Sequence, residues 1–260
     1  MTAVRRVVVA ISAGAPAREI LEPAAGLAAR LGAELEALLV EEAAQLRASR
    51  LPVALLGLPG GWSLDPATLG AGLRAAAERA RRLVEAAAAR DRLRWSFRVV
   101  GEAAAAEALR APEGQIAVVE VPGTALPWDE AAAPPRAVLL VRPTRRPAGL
   151  RLAVVWDASE AAAGALDLAL AISGGARPEP RLLVAAADLR EAERLAGEAV
   201  PRAGHRLPWA WAGGPGPADL ARALPPDATL VVGRGSPAAG GVSGRARLLA
   251  AAPAAVLLVG

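Results

Sequence analysis

The sequence contains no cysteine, lysine, tyrosine or asparagine, and it has a single histidine among its 260 residues. Without cysteine, the chain forms neither disulfides nor thiolate metal sites, and it has no cysteine nucleophile. With His205 as the only imidazole, neither a histidine-built zinc site nor a Ser-His-Asp triad is expected within one chain. The composition therefore argues against a resident metal and against the commonest hydrolase site.

Charge and hydrophobicity narrow the class of protein further. All 30 basic residues are arginine, and they are scattered among 26 acidic residues. Nucleic-acid-binding proteins usually concentrate their basic residues on one face, so no nucleic-acid partner is expected. No uncharged apolar run reaches the roughly 18 residues of a transmembrane helix, and no signal peptide is recognisable. We therefore expect a cytoplasmic protein with a packed core and no membrane partner.

The sequence repeats itself. The letters AVLLV occur at Ala137–Val141 and again at Ala255–Val259, and RVVVAIS at Arg6–Ser12 resembles RLAVVWD at Arg151–Asp157. Two further pairs of blocks match in the same order: Trp95–Gly101 with Trp209–Gly213, and Ala106–Glu120 with Asp219–Gly233. A repeat of this length predicts two copies of one domain. We place them at residues 1–143 and 150–260, joined near Arg142–Leu150.

Each copy alternates apolar runs with amphipathic segments. In the second copy, a strand over Leu152–Trp156 precedes a helix over Glu160–Ser173, and the last helix is predicted over Arg245–Ala251. Such alternation predicts an α/β fold, with right-handed crossovers and a parallel sheet flanked by helices on both sides. Ligands of such sheets bind beyond the carboxyl ends of the strands.

Several motifs of the second copy are familiar in type and order. They are the run VVWDASE at Val154–Glu160, GPGPA at Gly214–Ala218, LVVG at Leu230–Gly233 and AAPAAVLLV at Ala251–Val259. In this order they resemble a universal stress protein domain. Through the repeat, the whole chain resembles a tandem pair of such domains.

This resemblance implies two Rossmann-like, flavodoxin-like domains, each with a five-stranded parallel sheet of order 3-2-1-4-5. Final strands in the family often pair antiparallel between protomers. The two identical AVLLV segments are therefore expected to form an intramolecular pseudo-dimer of the two halves. A further homodimer of such chains is left open.

The resemblance also implies a nucleotide site in the second copy. Many members bind ATP through a G-x2-G-x9-G-[ST] loop, whose backbone N–H groups and following helix N-terminus favour phosphate. The positions that would hold ATP or AMP are Asp157, Ala186, Gly233, Arg234, Gly235, Gly241 and Ser243. The aspartate would contact the nucleoside end, Ala186 would offer its backbone to adenine, and Ser243 would touch phosphate. The loop is glycine-rich but shorter than the family's.

One alternative stays open at this site. Asp157 and Ser159 also suit the capping of the helix that follows them, with no ligand involved. In the first copy, Ser12 and Glu120 occupy the places of Asp157 and Gly233. A side chain and a negative charge at that strand end disfavour phosphate, so no nucleotide is expected there.

Two apolar features are also assigned. Trp209 and Trp211 lie two residues apart and so share one strand face, where core packing is expected. An apolar insertion over Leu51–Leu58 is interpreted as a lid packed on its own domain or as a docking or ligand-covering surface.

The preferred function is a non-catalytic stress-response protein that binds ATP or AMP weakly in its second half and acts with an unidentified protein partner. One alternative is a slow ATPase or nucleotidyl-transfer enzyme that uses the same pocket. Another is a protein-interaction module without a ligand.

Overall fold

The structure is a computed structural model of the whole chain. It describes residues 3–12, 17–41, 54–55, 63–64, 66–110, 114–120, 137–142, 151–174, 178–225, 228–251 and 255–260. Most of the predicted joint at Arg142–Leu150 and most of the insertion at Leu51–Leu58 lie outside these residues. The two assignments therefore stay predictions.

The N-terminal half (residues 1–143) alternates strands and helices as its sequence predicts. Its elements are β1 (Arg6–Ser12), α1 (Ala17–Leu31), β2 (Glu34–Glu41), β3 (Ala54–Leu55), β4 (Ser63–Leu64), α2 (Pro66–Asp91), β5 (Trp95–Gly101), α3 (Glu102–Leu109), β6 (Gln115–Glu120) and β7 (Ala137–Val141). The two-residue strands β3 and β4 pair with each other, apart from the main sheet.

The C-terminal half (residues 150–260) follows the same plan. Its elements are β8 (Arg151–Trp156), α4 (Glu160–Ser173), β9 (Arg181–Val184), α5 (Leu189–Glu198), α6 (Val200–Ala203), β10 (Trp209–Trp211), α7 (Pro217–Ala223), β11 (Ala228–Gly233), a 3-10 helix (Pro237–Ala239), α8 (Gly241–Ala251) and β12 (Ala255–Val259).

The main sheet is one continuous ten-stranded sheet of order β10-β9-β8-β11-β12-β7-β6-β1-β2-β5. All neighbours in it are parallel except β7 and β12, which pair antiparallel from Ala137↔Val259 to Val141↔Ala255. The predicted α/β class with a largely parallel sheet is confirmed. The expectation of two five-stranded sheets differs from this single sheet, because the two AVLLV edge strands hydrogen-bond to each other.

The two halves of the sheet share one register. In each half, a residue of the first strand pairs with equivalent residues of the strands on either side. The equivalent sets are Val9, Ala37 and Val118 in one half and Val154, Leu182 and Val231 in the other. Counting along the strands, this register places Ser12, Glu41 and Glu120 where the C-terminal half has Asp157, Ala186 and Gly233.

Two apolar layers cover the sheet. On one face, strand residues pack with α1, α2, α4 and α5, through side chains such as Ile20, Val84 and Leu166. On the other face, strand residues pack with α3, α7 and α8, through side chains such as Leu109 and Leu248. Burial on both faces explains why the central strands read as unbroken apolar runs. No helix in the described ranges is long and apolar enough to span a bilayer.

Local sequence signals fix the helix that follows β8. The hydroxyl of Ser159 accepts a hydrogen bond from the Ala162 amide at 3.2 Å and so caps the start of α4. Gly174 ends the helix with a left-handed φ of 54°, a conformation that glycine adopts at little cost. The Ser159 cap and the Gly174 stop thus bound α4 at the residues that the sequence predicts.

Candidate functional site

The candidate site lies at the carboxyl ends of β8 and β11, where the strand order of the C-terminal half changes direction. β8 and β11 pair in parallel, so Asp157 and Gly233 lie at the same edge of the sheet. β9 pairs with the other side of β8 and brings Ala186 to that edge. The sheet thus brings together three of the seven predicted residues.

The carboxylate of Asp157 accepts four hydrogen bonds from the chain itself. Its Oδ1 accepts from the Ser159 amide at 3.1 Å and from the Ser159 hydroxyl at 2.5 Å. Its Oδ2 accepts from the Ser236 hydroxyl at 2.6 Å and from the Ala238 amide at 3.1 Å. We call this arrangement of Asp157, Ser159, Ser236 and Ala238 the Asp157 latch. It joins the end of β8 to the loop that follows β11.

The latch sets the ionisation of Asp157. Partial burial alone would raise the pKa of this carboxyl, because a low-dielectric environment disfavours its charge. The hydrogen bonds from Ser159, Ser236 and Ala238 outweigh that effect and lower the pKa below its ordinary value. Asp157 is therefore ionised at neutral pH, and its charge is shared among donors of the protein.

The interpretation that Asp157 and Ser159 cap the following helix holds for Ser159 but not for Asp157. Ser159 caps α4, whereas Asp157 holds the turn before the helix and the loop after β11. Between them, Ala158 has a φ of 58°, a conformation that costs a non-glycine residue about 1 kcal/mol. The latch supplies the interactions that keep this turn in place.

The loop after β11 is built for close packing. A Cβ at Gly233 would overlap the carbonyl of Ala161 on α4, so only glycine lets this strand end approach the helix. Beyond it, Gly235 is exposed, whereas Ser236 is 3% exposed. Pro237–Ala239 form the 3-10 helix, whose Ala238 amide reaches Asp157. The predicted glycine-rich turn is thus folded inward onto the aspartate.

The arginines of this loop belong to its internal structure. The Arg234 amide donates to the Val259 carbonyl at 2.7 Å, which ties the loop to β12. Arg245 Nη1 donates to the Arg234 carbonyl at 2.9 Å and so ties α8 to the same loop. Guanidinium nitrogens of both side chains are shielded from solvent. Two positive charges therefore lie beside the end of β11.

The remaining predicted residues open helix α8, which begins at Gly241 rather than at the predicted Arg245. Gly241 has a φ of 64° and nothing lies within 4 Å of the place of a Cβ. Ser243 is exposed in the first turn. This N-terminus carries no acidic side chain in its first turn, and helix N-termini favour anions.

Ala186 is 2% exposed, and its carbonyl is already in use. It accepts a hydrogen bond from Trp211 Nε1 at 3.0 Å. The expectation that Trp211 packs in the core is wrong, because its strand β10 lies at the edge of the sheet and the side chain is 36% exposed. Trp209, on the same strand, does pack against the core.

Sequence reasoning missed the roles of Ser236 and Ala238, and it placed Trp211 in the core. The Ser236-Pro237 dipeptide is a turn signal that could have been noticed, together with the shortness of the loop. Nothing local pairs Ser236 with an aspartate 79 residues earlier in the chain.

The equivalent edge of the N-terminal half carries carboxylates. Ser12, Glu41 and Glu120 lie at the strand ends, in the places given by the shared register. Burial, and to a smaller extent the nearby charge of Glu19, raises the pKa of Glu120. Ionised carboxyl groups at this edge would disfavour a bound anion. Within the described part of the chain, no group of three or more acidic or histidine side chains is close enough to hold a metal ion.

Comparison with known proteins shows which known fold this chain resembles. No protein-family model and no curated protein matches the chain. Among solved structures, a universal stress protein from Archaeoglobus fulgidus DSM 4304 matches with a TM-score of 0.57 and 16% sequence identity. The match covers 98% of this chain and 96% of that protein. At this identity the likeness shows a shared fold.

Proposed function

We propose that this chain is a non-catalytic, universal-stress-protein-like protein whose C-terminal half binds an adenine nucleotide weakly. The main support for weak binding is the Asp157 latch, in which both carboxylate oxygens already accept hydrogen bonds from donors of the chain. A ligand that uses Asp157 must first replace Ser236 and Ala238. Weak binding follows from that competition.

The size of the competition can be estimated. A hydrogen bond to a charged group contributes about 1.5–3 kcal/mol. If the opened loop lies about 3 kcal/mol above the latched loop, the apparent affinity falls roughly 150-fold. A site with good contacts would then bind ATP or AMP only at high concentration.

The phosphate end of the nucleotide is assigned to the loop and to α8. Arg234 and Arg245 bring two positive charges to the end of β11. The N-terminus of α8, with Gly241 and Ser243, adds the partial positive charge of a helix start. Gly233 and Gly235 let the backbone run close to α4.

The proposal that this site is not catalytic rests on the ionisation and the hydrogen bonds of Asp157. A general base works best with a pKa near the working pH and a lone pair within reach of the substrate proton. The pKa of Asp157 is lowered, and its lone pairs are engaged. His205 lies on the surface, with its Nε2 3.3 Å from Glu179, away from the strand ends.

We also propose that the two halves arose by duplication and form an intramolecular pseudo-dimer. Three observations support this: the shared strand order, the shared register and the antiparallel pairing of the identical segments in β7 and β12. That pairing buries two edge strands that would otherwise invite aggregation. Sedimentation of the purified chain tests whether a further homodimer forms.

Isothermal titration calorimetry of the full chain with ATP, ADP and AMP tests the nucleotide proposal. We expect weak binding by the natural chain, tighter binding by Ser236→Ala by roughly tenfold because one latch bond is lost, and no binding by Asp157→Ala. Ser173→Ala is the matched control, since Ser173 is a buried serine at the far end of α4. It should leave the affinity unchanged.

The outcomes separate the three functions. If neither the natural chain nor Ser236→Ala gives a binding heat with any adenine nucleotide, the proposal is contradicted and a ligand-free interaction module is supported. Phosphate release above the blank, lost in Asp157→Ala, contradicts it in favour of the ATPase or nucleotidyl-transfer alternative.

A further inference from the structure

A second internal hydrogen bond occupies the same edge of the sheet. Trp211 Nε1 donates to the carbonyl of Ala186 at 3.0 Å. The alanine is 2% exposed and the tryptophan 36% exposed. The partly exposed indole of Trp211 therefore covers the buried Ala186 carbonyl, and we call it the cover.

The cover lies beside the Asp157 latch. Trp211 pairs with Val184 across β10 and β9, and the Ala185 amide donates to the Trp156 carbonyl at 2.9 Å. Ala186 follows the end of β9, and Asp157 follows the end of the neighbouring strand β8. Two acceptors at the ends of neighbouring strands are thus both satisfied by donors of the protein.

We propose that Trp211 gates this site, its indole N–H holding the Ala186 carbonyl until a ligand supplies an N–H or O–H donor instead. The inference rests on the proposed function and adds the residue that controls access to its base-proximal end. The ligand class follows from the chemistry. Both protein groups are acceptors, so the ligand edge that enters here is rich in donors, as in an amino-heterocycle with hydroxyls.

The gate acts on one end of a nucleotide only. Trp211 lies on β10, whereas the positive charges of Arg234 and Arg245 lie beside β11, on the other side of β8. A change at Trp211 therefore alters the binding of a nucleoside and leaves the binding of a bare polyphosphate as it was.

Replacement by phenylalanine isolates the indole N–H. Indole nitrogen donates and cannot accept, and phenylalanine keeps an aromatic ring on the same strand while removing that donor. In Trp211→Phe, the Ala186 carbonyl has lost its internal donor, so a ligand donor no longer competes for it. Trp209→Phe is the matched control, because Trp209 lies on the same strand but packs against the core.

The test is calorimetry of the full chain with adenosine, ATP and inorganic tripolyphosphate. We expect Trp211→Phe to bind adenosine and ATP roughly fivefold more tightly, the equivalent of one neutral hydrogen bond, with tripolyphosphate affinity unchanged. Trp209→Phe should match the natural chain. Adenosine should also shift the tryptophan emission of the natural chain, and Trp211→Phe should lose that shift.

Each contrary result has a distinct meaning. If Ser236→Ala binds adenosine more tightly but Trp211→Phe binds it no better than the natural chain, the gate is overturned and the proposed function survives. Weaker adenosine binding by Trp211→Phe also overturns the gate, because the indole then helps the ligand. Absence of adenosine and ATP binding in all these proteins overturns both.

Discussion

The two halves of this molecule share a scaffold and differ at the ends of their strands. Both have the same strand order and register. At the edge where such sheets bind ligands, the N-terminal half carries Glu41 and Glu120, and the C-terminal half carries an aspartate closed by its own loop. The comparison shows that two halves with the same strand order and register can keep similar cores while the residues at their strand ends differ.

The two carboxyl groups in these edges have opposite environments. Glu120 is partly buried near Glu19, and its pKa is raised. Asp157 is also partly buried, but four hydrogen bonds lower its pKa. Burial alone disfavours a carboxylate, whereas donors stabilise it. The donors of Ser159 and of the loop after β11 therefore account for the difference between these two carboxyl groups.

The largest loss of stability is expected when Gly233 is replaced by glutamate, the residue at the equivalent position (Glu120) of the N-terminal half. Gly233→Glu places a Cβ against the Ala161 carbonyl and a charge at a tightly packed strand end. We expect a loss of about 3 kcal/mol or more in the free energy of unfolding, measured by urea denaturation. Gly235→Ala is the control in the same loop, since its Cβ would make only ordinary contacts. Equal stability of the two variants would contradict the packing account.

A smaller loss is expected from Asp157→Asn. Asparagine removes the charge and turns an amide donor toward groups that are themselves donors, so we expect a loss of about 2–3 kcal/mol at neutral pH. Because the pKa of Asp157 is lowered in the fold, its stabilising contribution is complete above the ordinary aspartate value and disappears as pH falls through the folded value. Urea denaturation at several pH values measures this.

The control for that series is Glu160→Gln, a change at an exposed neighbour on α4. It should alter the free energy of unfolding by only a few tenths of a kcal/mol. A difference between the natural chain and Asp157→Asn that stays constant down to acidic pH would mean that the carboxylate is not what the latch holds.

The smallest effect, of opposite sign, is expected from Glu120→Gln. The raised pKa of Glu120 means that its ionised form is disfavoured in the fold, so its charge destabilises increasingly as pH rises from the ordinary glutamate value through the folded one. Because solvent screens this partly exposed group, we expect the variant to gain only a few tenths of a kcal/mol at neutral pH and nothing in acid. Thermal denaturation at the two pH values checks this, and a loss of stability at neutral pH would contradict it.

Much of the fold could be predicted because its signals are local. Unbroken apolar runs mark strands covered on both faces, and the cap at Ser159 with the stop at Gly174 fixed the bounds of α4. The start of α8 was placed four residues late, because glycines at its beginning are poor helix formers and tertiary packing overrode that preference.

The candidate site was harder to predict. The sequence singled out Asp157 and Gly233, but it could not show that Ser236 and Ala238 close on the aspartate, since that contact depends on the fold. For Trp211, period-two alternation places the side chain on a face of the sheet. It cannot say that β10 is an edge strand where that face meets solvent.

The central claim is that Asp157 is held by donors of its own chain. Carboxyl ¹³C NMR of the full-length protein, followed through an acid titration, measures the pKa of this side chain directly. The account predicts a value below that of an ordinary aspartate, moving back toward it in Ser236→Ala. A pKa at or above the ordinary value, unchanged by Ser236→Ala, would contradict the account.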